Sequence, residues 1–323
     1  MSNTSNPKNM SLLQNAKNYL NSGLSVLPTG ADKRPVIASW TSLQRSPLTI
    51  EEAEKVFKGS KVKGLAVICG AVSGSLEVID VDCKYDLTGS LWTEFKALIE
   101  EHLPEISKEL VIAETVSKVY HVYFKSPAPY GNQKLAQRPT TDKEKALTYA
   151  QAVESGEKEE DAQRQATNDK VRVLLETRGE GGYVIAEPTP GYRFIQGSYE
   201  SIPSITTDQR ETLLVLARSF HEIQEPEPKE QTDQTVKDRK ELYAQTSGLS
   251  PFEDYNQRGD VVGLLESHGW KVVKRSGERI YFKRPGNSDS KTSANYHTGL
   301  GVFYPFSTST EFDSEKGYNA VGV

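Results

Sequence analysis

The sequence predicts an α+β protein of two domains, and three observations carry that prediction. Helical periodicity interleaves with short β-branched and aromatic runs across residues 10–222. A polar, proline-containing stretch follows at 223–250. Residues 251–323 then pattern as a helix ahead of alternating strands. With 323 residues the chain is long enough to bury more than one core.

The first helix is announced by Ser11-Leu12-Leu13-Gln14, which has the form of a capping box, and by Leu12, Leu13, Ala16, Tyr19 and Leu20 at helical spacing. It stops at Asn21-Ser22-Gly23. A short strand is expected at Leu24–Pro28, then a loop holding Lys33-Arg34-Pro35 and Trp40, then a helix over 50–58. Strands follow at Leu65–Cys69 and Leu76–Val81, parted by a Gly-Ala-Val-Ser-Gly turn, and a helix at Ser90–His102. Four further runs rich in β-branched or aromatic residues read as strands: Leu110–Glu114, Val119–Phe124, Val171–Leu175 and Tyr183–Ala186. Residues 141–170 are polar and rich in Ala, Gln and Glu, an inserted surface helix or mobile arm. Leu213, Leu214, Leu216, Ala217 and Phe220 mark a helix over 209–222.

Between Glu225 and Lys240 the only apolar residue besides two prolines is Val236, too little buried surface to offset ordering entropy, so 223–250 reads as a linker. Beyond it a helix is expected over Arg258–Trp270 and a small antiparallel sheet over Lys271–Phe306.

Composition narrows the function. No stretch approaches the roughly 18 consecutive apolar residues of a membrane helix, and Met1–Asn9 is polar, so no membrane partner is expected and the reading is cytoplasmic. The two cysteines, Cys69 and Cys83, form no CxxC pair, which excludes a disulfide scaffold and a zinc ribbon; no zinc is expected. Net charge is −5, so any nucleic-acid contact must be local.

Three segments carry residues suited to chemistry. In Glu77-Val78-Ile79-Asp80-Val81-Asp82, residues two apart share a strand face, so Asp80 and Asp82 project together about 7 Å apart. Paired carboxylates suit hard divalent cations; a solvated strand end is the plain reading. In Thr115-Val116-Ser117-Lys118-Val119-Tyr120-His121, His121 and Tyr123 share a face; a structural histidine is the plain reading, and no Gly-x-Ser-x-Gly surrounds Ser117. In Leu175-Glu176-Thr177-Arg178-Gly179-Glu180-Gly181-Gly182-Tyr183, an acid and a guanidinium follow an apolar strand and the glycines permit close backbone approach; a surface ion pair is the plain reading, and no P-loop is present.

Taken in order, an Asp-x-Asp strand, a Ser-x-x-x-His strand and an acidic strand end followed by Arg and Gly-Gly-Tyr resemble the three motifs of the archaeo-eukaryotic primase superfamily, most nearly the bifunctional primase-polymerase (prim-pol) domains of plasmids, phages and other mobile elements. Gly23 to Pro28, Lys33-Arg34-Pro35 and Trp40 are similar to the start of such domains, and the resemblance covers about residues 10–220. It implies a mixed or antiparallel sheet with an RRM-like core flanked by helices. It also implies a nucleotidyltransferase acting on a single-stranded DNA template, a primer and dNTP or NTP, with a helicase in the same longer chain or in trans. Asp80, Asp82 and Glu176 would be the catalytic and metal-holding acids for two Mg²⁺ or Mn²⁺ ions, and Ser117, Lys118, His121 and Arg178 would bind the nucleotide. Family members often carry Gly-Gly between that Ser and His, where this chain has Lys118-Val119.

Lys33 and Arg34 either touch nucleic-acid or nucleotide phosphates or sit in a solvated loop. From His268 to His297, seven Lys/Arg stand against Glu278 and Asp289, a local charge of about +5, interleaved with Trp270, Tyr281, Phe282 and Tyr296. That pattern is either a surface that grips single strands or a small aromatic core with solvated lysines. Two other functions compete: a replication-initiation module that binds nucleic acid with a decayed cleft, and a sugar-nucleotide transferase using Asp-x-Asp.

Overall fold

The computed structural model describes residues 11–127, 129–223, 251–286, 291–307, 310, 312–314 and 316–323. The expected linker falls almost wholly outside the described residues, as does Asp289. The protein is α+β with antiparallel sheets, and the chain divides into two compact units. One comprises residues up to 135 with 173–214; the other comprises 136–172 with 215–323.

The first unit opens with α1 (Leu12–Asn21), whose N-cap Ser11 accepts from the Gln14 amide. β1 (Val26–Thr29), β2 (Gly64–Ile68) and β8 (Tyr183–Ala186) form a three-stranded sheet in the order β1-β2-β8. β1 contains Pro28, which is tolerated because β1 is an edge strand and needs no second ladder partner. α2 (Ile50–Phe57) begins with a complete capping box between Thr49 and Glu52.

The larger sheet has six strands in the order β6-β7-β3-β5-β4-β9: β3 (Leu76–Asp82), β4 (Val111–Thr115), β5 (Val119–Lys125), β6 (Lys134–Pro139), β7 (Val171–Arg178) and β9 (Tyr192–Gln196). α3 (Leu91–His102) joins β3 to β4. β6 and β9 are the two strands without a sequence expectation, and both are edges. Lys134, Gln137, Arg138 and Pro139 make β6 a poor β-former by composition, and an edge position is where such residues cost least.

One core lies against a single face of this sheet. Val78, Val111, Ala113 and Tyr123 pack there with Leu65, Val67, Val184 and Ala186 of the small sheet and with Ala16, Tyr19, Ala53 and Phe57 of α1 and α2. On the reverse face, Glu77 is fully buried and receives two hydrogen bonds from Arg210 at 2.6 and 2.8 Å. Arg210 belongs to α6 (Thr207–Arg218), and its guanidinium also lies 4.7 Å from the Tyr130 ring centre.

In the second unit, the expected insertion is a pair of helices, α4 (Asp142–Glu154) and α5 (Glu159–Asn168). Thr141 and Glu144 form a capping box, and buried Arg138 grips the Glu144 carboxylate at 2.6 and 2.8 Å. Arg172 pairs with Asp169, which also accepts from Thr148 at 2.6 Å. A mobile arm would lack such a buried anchor.

The helix expected over Arg258–Trp270 is instead two, α7 (Pro251–Arg258) and α8 (Val261–Ser267). The chain breaks at Gly259, and Asp260 caps the second helix by accepting from Gly263 N–H at 2.9 Å. β10 (Lys271–Ser276), β11 (Arg279–Lys283), β12 (Ala294–His297) and β13 (Val302–Pro305) form an antiparallel meander in sequence order. Trp270 and Phe282 belong to its core with Ile280 and Phe303, Tyr296 packs against that core, and Tyr281 is fully buried. Trp270, Tyr281 and Phe282 are thus buried, as the reading of a small aromatic core expects. The opposite face of the meander closes the end of α6: Asn295 donates to the Ser219 carbonyl at 3.2 Å, and Arg279 pairs with Glu222 at 3.3 Å.

Candidate active site

The site is built on β3, a central strand of the six-stranded sheet. Its ladders place Asp80 opposite Glu176 of β7 on one side and opposite His121 of β5 on the other. Directly paired residues share a sheet face, so the three side chains form a row across three strands. Asp82 continues the same face two residues on, opposite Val119, while Val78 on that face enters the core between the sheets. The row thus lies where the packed face opens. β7 runs through Glu176 and Arg178 rather than ending at Leu175, and this puts both residues in register with β3.

The buried face is electrostatically expensive. Oδ1 of Asp80 and Oδ1 of Asp82 are both buried with no hydrogen-bond partner. Burial, with the neighbouring Asp82 charge next, pushes the Asp80 carboxyl up to about 6. Burial also raises Glu176, against the pull of Arg178. His121 is 5% exposed; burial and then Arg178 bring it down to about 4, so its ring is neutral at pH 7. Its Nε2 stands 3.8 Å from Asp80 Oδ1, too far for a hydrogen bond, and its Nδ1 meets the Tyr123 hydroxyl at 3.2 Å.

Two cations answer the acids. Lys84 Nζ is 2.9 Å from Asp82 Oδ2, and Arg178 pairs with Glu176. Among the described residues, no group of three or more His, Cys, Asp or Glu side chains forms a ready-made metal site. The orphaned Oδ1 atoms of Asp80 and Asp82 nevertheless fit a hard divalent cation, which would supply both the missing ligand contact and the missing charge.

A cleft of about 400 Å³ opens over the Asp80 and His121 part of this row. Asp80, Asp82, Ser117, His121 and Arg178 line it with Thr115 and Tyr183 of the same motif segments, together with residues outside the motifs: Lys84, Asn132 and Tyr192. Lys33 and Trp40, from the loop after β1, line it too. Glu176 and Lys118 do not; Lys118 lies with Glu114, Gly191 and Arg193 along a separate cavity of about 500 Å³. Tyr192 carried no legible signal because it opens the unexpected edge strand β9. Lys84 had a weak one, a basic residue two positions beyond the Asp-x-Asp pair.

The Ser117 hairpin explains the departure from Gly-Gly. Val116, Ser117 and Lys118 form a three-residue loop between β4 and β5, and such loops want a left-handed third residue, usually glycine. Lys118 takes that conformation with φ +56°, its N–H bonding the Thr115 carbonyl at 3.0 Å. The left-handed turn is made at the cost of strain in a residue with a Cβ. Of the glycines after Arg178, Gly181 and Gly182 line the cleft, and Gly179 and Gly182 are also required by the chain's own packing. A Cβ on Gly179 would stand 1.9 Å from the Tyr130 carbonyl oxygen, and one on Gly182 2.4 Å from Asn132 Oδ1.

Residues 16–209, more than half of the chain, match the family model described as the N-terminal bifunctional DNA primase/polymerase domain. The chain belongs to the prim-pol family. Its domain is therefore of primase/polymerase type, acting on DNA and nucleotides, and the row of Asp80, His121 and Glu176 lies within the matched residues. No curated protein matches the chain. No helix among the described residues is long and apolar enough to cross a membrane.

Proposed function

We propose that this prim-pol domain makes and extends primers on single-stranded DNA by template-directed nucleotidyl transfer, with Asp80, Asp82 and Glu176 holding two Mg²⁺ or Mn²⁺ ions. The supporting observation is the ladder register that sets Asp80 between Glu176 and His121 while leaving the Asp80 and Asp82 Oδ1 atoms buried and unpartnered. When bound, the ions supply activation of a primer 3′-hydroxyl and neutralisation of the leaving pyrophosphate.

The chain's own residues do the rest. Asp80 and Asp82 present their orphaned oxygens, and Glu176 joins them by giving up Arg178, which is then available as a fixed positive charge for phosphate oxygens. His121 is kept neutral by burial and then by Arg178, and Tyr123 holds its ring in place, so it donates a hydrogen bond to the incoming triphosphate without adding charge. Ser117 lines the cleft at the hairpin whose shape Lys118 sets. Catalysis on this reading is positioning and charge neutralisation, and no side chain acts as nucleophile.

The test is incubation of the protein with single-stranded DNA, nucleotides and Mn²⁺ or Mg²⁺. New oligonucleotides and extended primers are expected, both abolished by EDTA and by Asp80→Asn. Absence of product from the unaltered protein on any template would favour the competing function, a DNA-binding initiation module with an inactive cleft.

A further inference from the structure

A cleft that receives a triphosphate needs positive charge not already spent on its own acids. Three cations line the cleft. Lys84 is committed to Asp82 and Arg178 to Glu176. Among the described residues, Lys33 has no ion-pair partner; its Nζ lies over the ring of Tyr192, 5.3 Å from the centroid, and Tyr192 itself lines the cleft. It is near enough for its charge to be felt at Asp80 and His121.

The backbone that delivers Lys33 is unusual for a solvated loop. Lys33 has φ +65°, a left-handed conformation that a lysine adopts at a cost. The turn is tied by Gly30 N–H to the Arg34 carbonyl at 2.9 Å, Lys33 N–H to the Gly30 carbonyl at 3.1 Å and Arg34 N–H to Asp32 Oδ1 at 3.1 Å. It is closed by a bridge between Thr29 and Pro35 at the end of β1. A glycine would satisfy this turn better, so the lysine is held there against local preference, a pattern associated with functional positions.

We propose that Lys33 is a phosphate-binding residue of the nucleotide cleft, its ammonium taking the polyphosphate of the incoming nucleotide while Tyr192 holds the side chain over the cleft in the nucleotide's absence. The assignment rests on the nucleotidyl-transfer reading of the same cleft and adds to it a residue outside the three motifs. Lys33 contributes affinity for the phosphates and none for base or sugar.

Binding without turnover tests it. The protein is titrated calorimetrically in Mg²⁺, without DNA, with α,β-methylene-dATP, which cannot release pyrophosphate, and in parallel with deoxyadenosine. Primer extension by the unaltered protein is measured alongside. Lys33→Met is expected to weaken the triphosphate analogue roughly tenfold, the scale of one charge-assisted hydrogen bond, with deoxyadenosine unchanged. Lys33→Arg recovers most of the loss. Lys33→Gly, which relieves the backbone strain, melts no lower than the unaltered protein yet binds the analogue as weakly as Lys33→Met, separating a turn role from a binding role. If Lys33→Met binds the analogue as tightly as the unaltered protein, the Lys33 assignment falls and the nucleotidyl-transfer reading stands. If the unaltered protein neither binds the analogue nor extends primers, the reading fails and the assignment fails with it.

Discussion

Asp80 and Glu176 face each other across the β3–β7 ladder, yet their carboxylates are not joined: Glu176 is held by Arg178, and Asp80 keeps a buried oxygen with no partner. Two acids brought into direct register on one sheet face repel each other, a repulsion that a cation held between them would relieve.

Replacement of either aspartate is therefore expected to separate activity from stability. Asp80→Asn and Asp82→Asn should lower nucleotide addition by about 10³-fold or more, since several kcal/mol of charge stabilisation in the transition state are lost. The melting temperature of Asp80→Asn should hold or rise, because a buried carboxylate oxygen without a partner is removed, whereas Asp82→Asn also gives up the ion pair with Lys84 and should melt close to the unaltered protein. Extension assays beside thermal unfolding check both halves, and undiminished extension in either variant would remove that residue from the site.

The reverse side of β3 behaves oppositely. Glu77 and Arg210 form a bidentate pair with both side chains buried. Glu77→Leu leaves the buried Arg210 guanidinium with only Glu211, at 2.6 Å, as ion-pair partner and should cost about 3 kcal/mol, whereas combining it with Arg210→Met should cost much less. Denaturant unfolding of the two single variants and the double gives the coupling directly.

At the hairpin, Lys118→Gly should stabilise the protein by about 0.5–1 kcal/mol by relieving the left-handed backbone, with primer extension retained because Ser117 and His121 keep their places. A loss of extension in a more stable variant would show instead that the lysine side chain takes part.

Acid should loosen the second unit. Arg138 holds Glu144 at about 2, and Arg172 holds Asp169 at about 2, both below their ordinary ranges. A depressed carboxyl contributes stability that is complete above its unfolded value and is lost as pH falls through the folded one. Unfolding followed by circular dichroism from pH 5 to pH 2 should show stability declining across that window, and Glu144→Gln should flatten the decline.

Much of this site was legible because strand periodicity is strict. Once residues 76–82 read as a strand, Asp80 and Asp82 must share a face; that Ser117, His121 and Arg178 belong with them was implied by the primase resemblance alone, and the structure lines one cleft with all five. What periodicity cannot express is register between strands: nothing along the chain says that residue 176 rather than 174 stands opposite 80. Nor does it reveal contributions from irregular backbone. Lys33 reaches the cleft through a tied turn, and Tyr192 through an edge strand whose partner residues lie some 80 positions away. The aromatics from Trp270 to Tyr296 were ambiguous for a related reason, since alternating basic and aromatic residues describe a wet binding face and a half-buried meander equally well; only coordinates reveal that Trp270 and Phe282 pack with Phe303.

Alternation along β3 gives one short strand two unlike faces, a carboxylate anchored by a resident arginine behind it and carboxylates with orphaned oxygens in front. Inactivating the front leaves the rear anchor intact, so Asp80 and Asp82 variants should serve as folded traps that still hold template and nucleotide, stalled for capture.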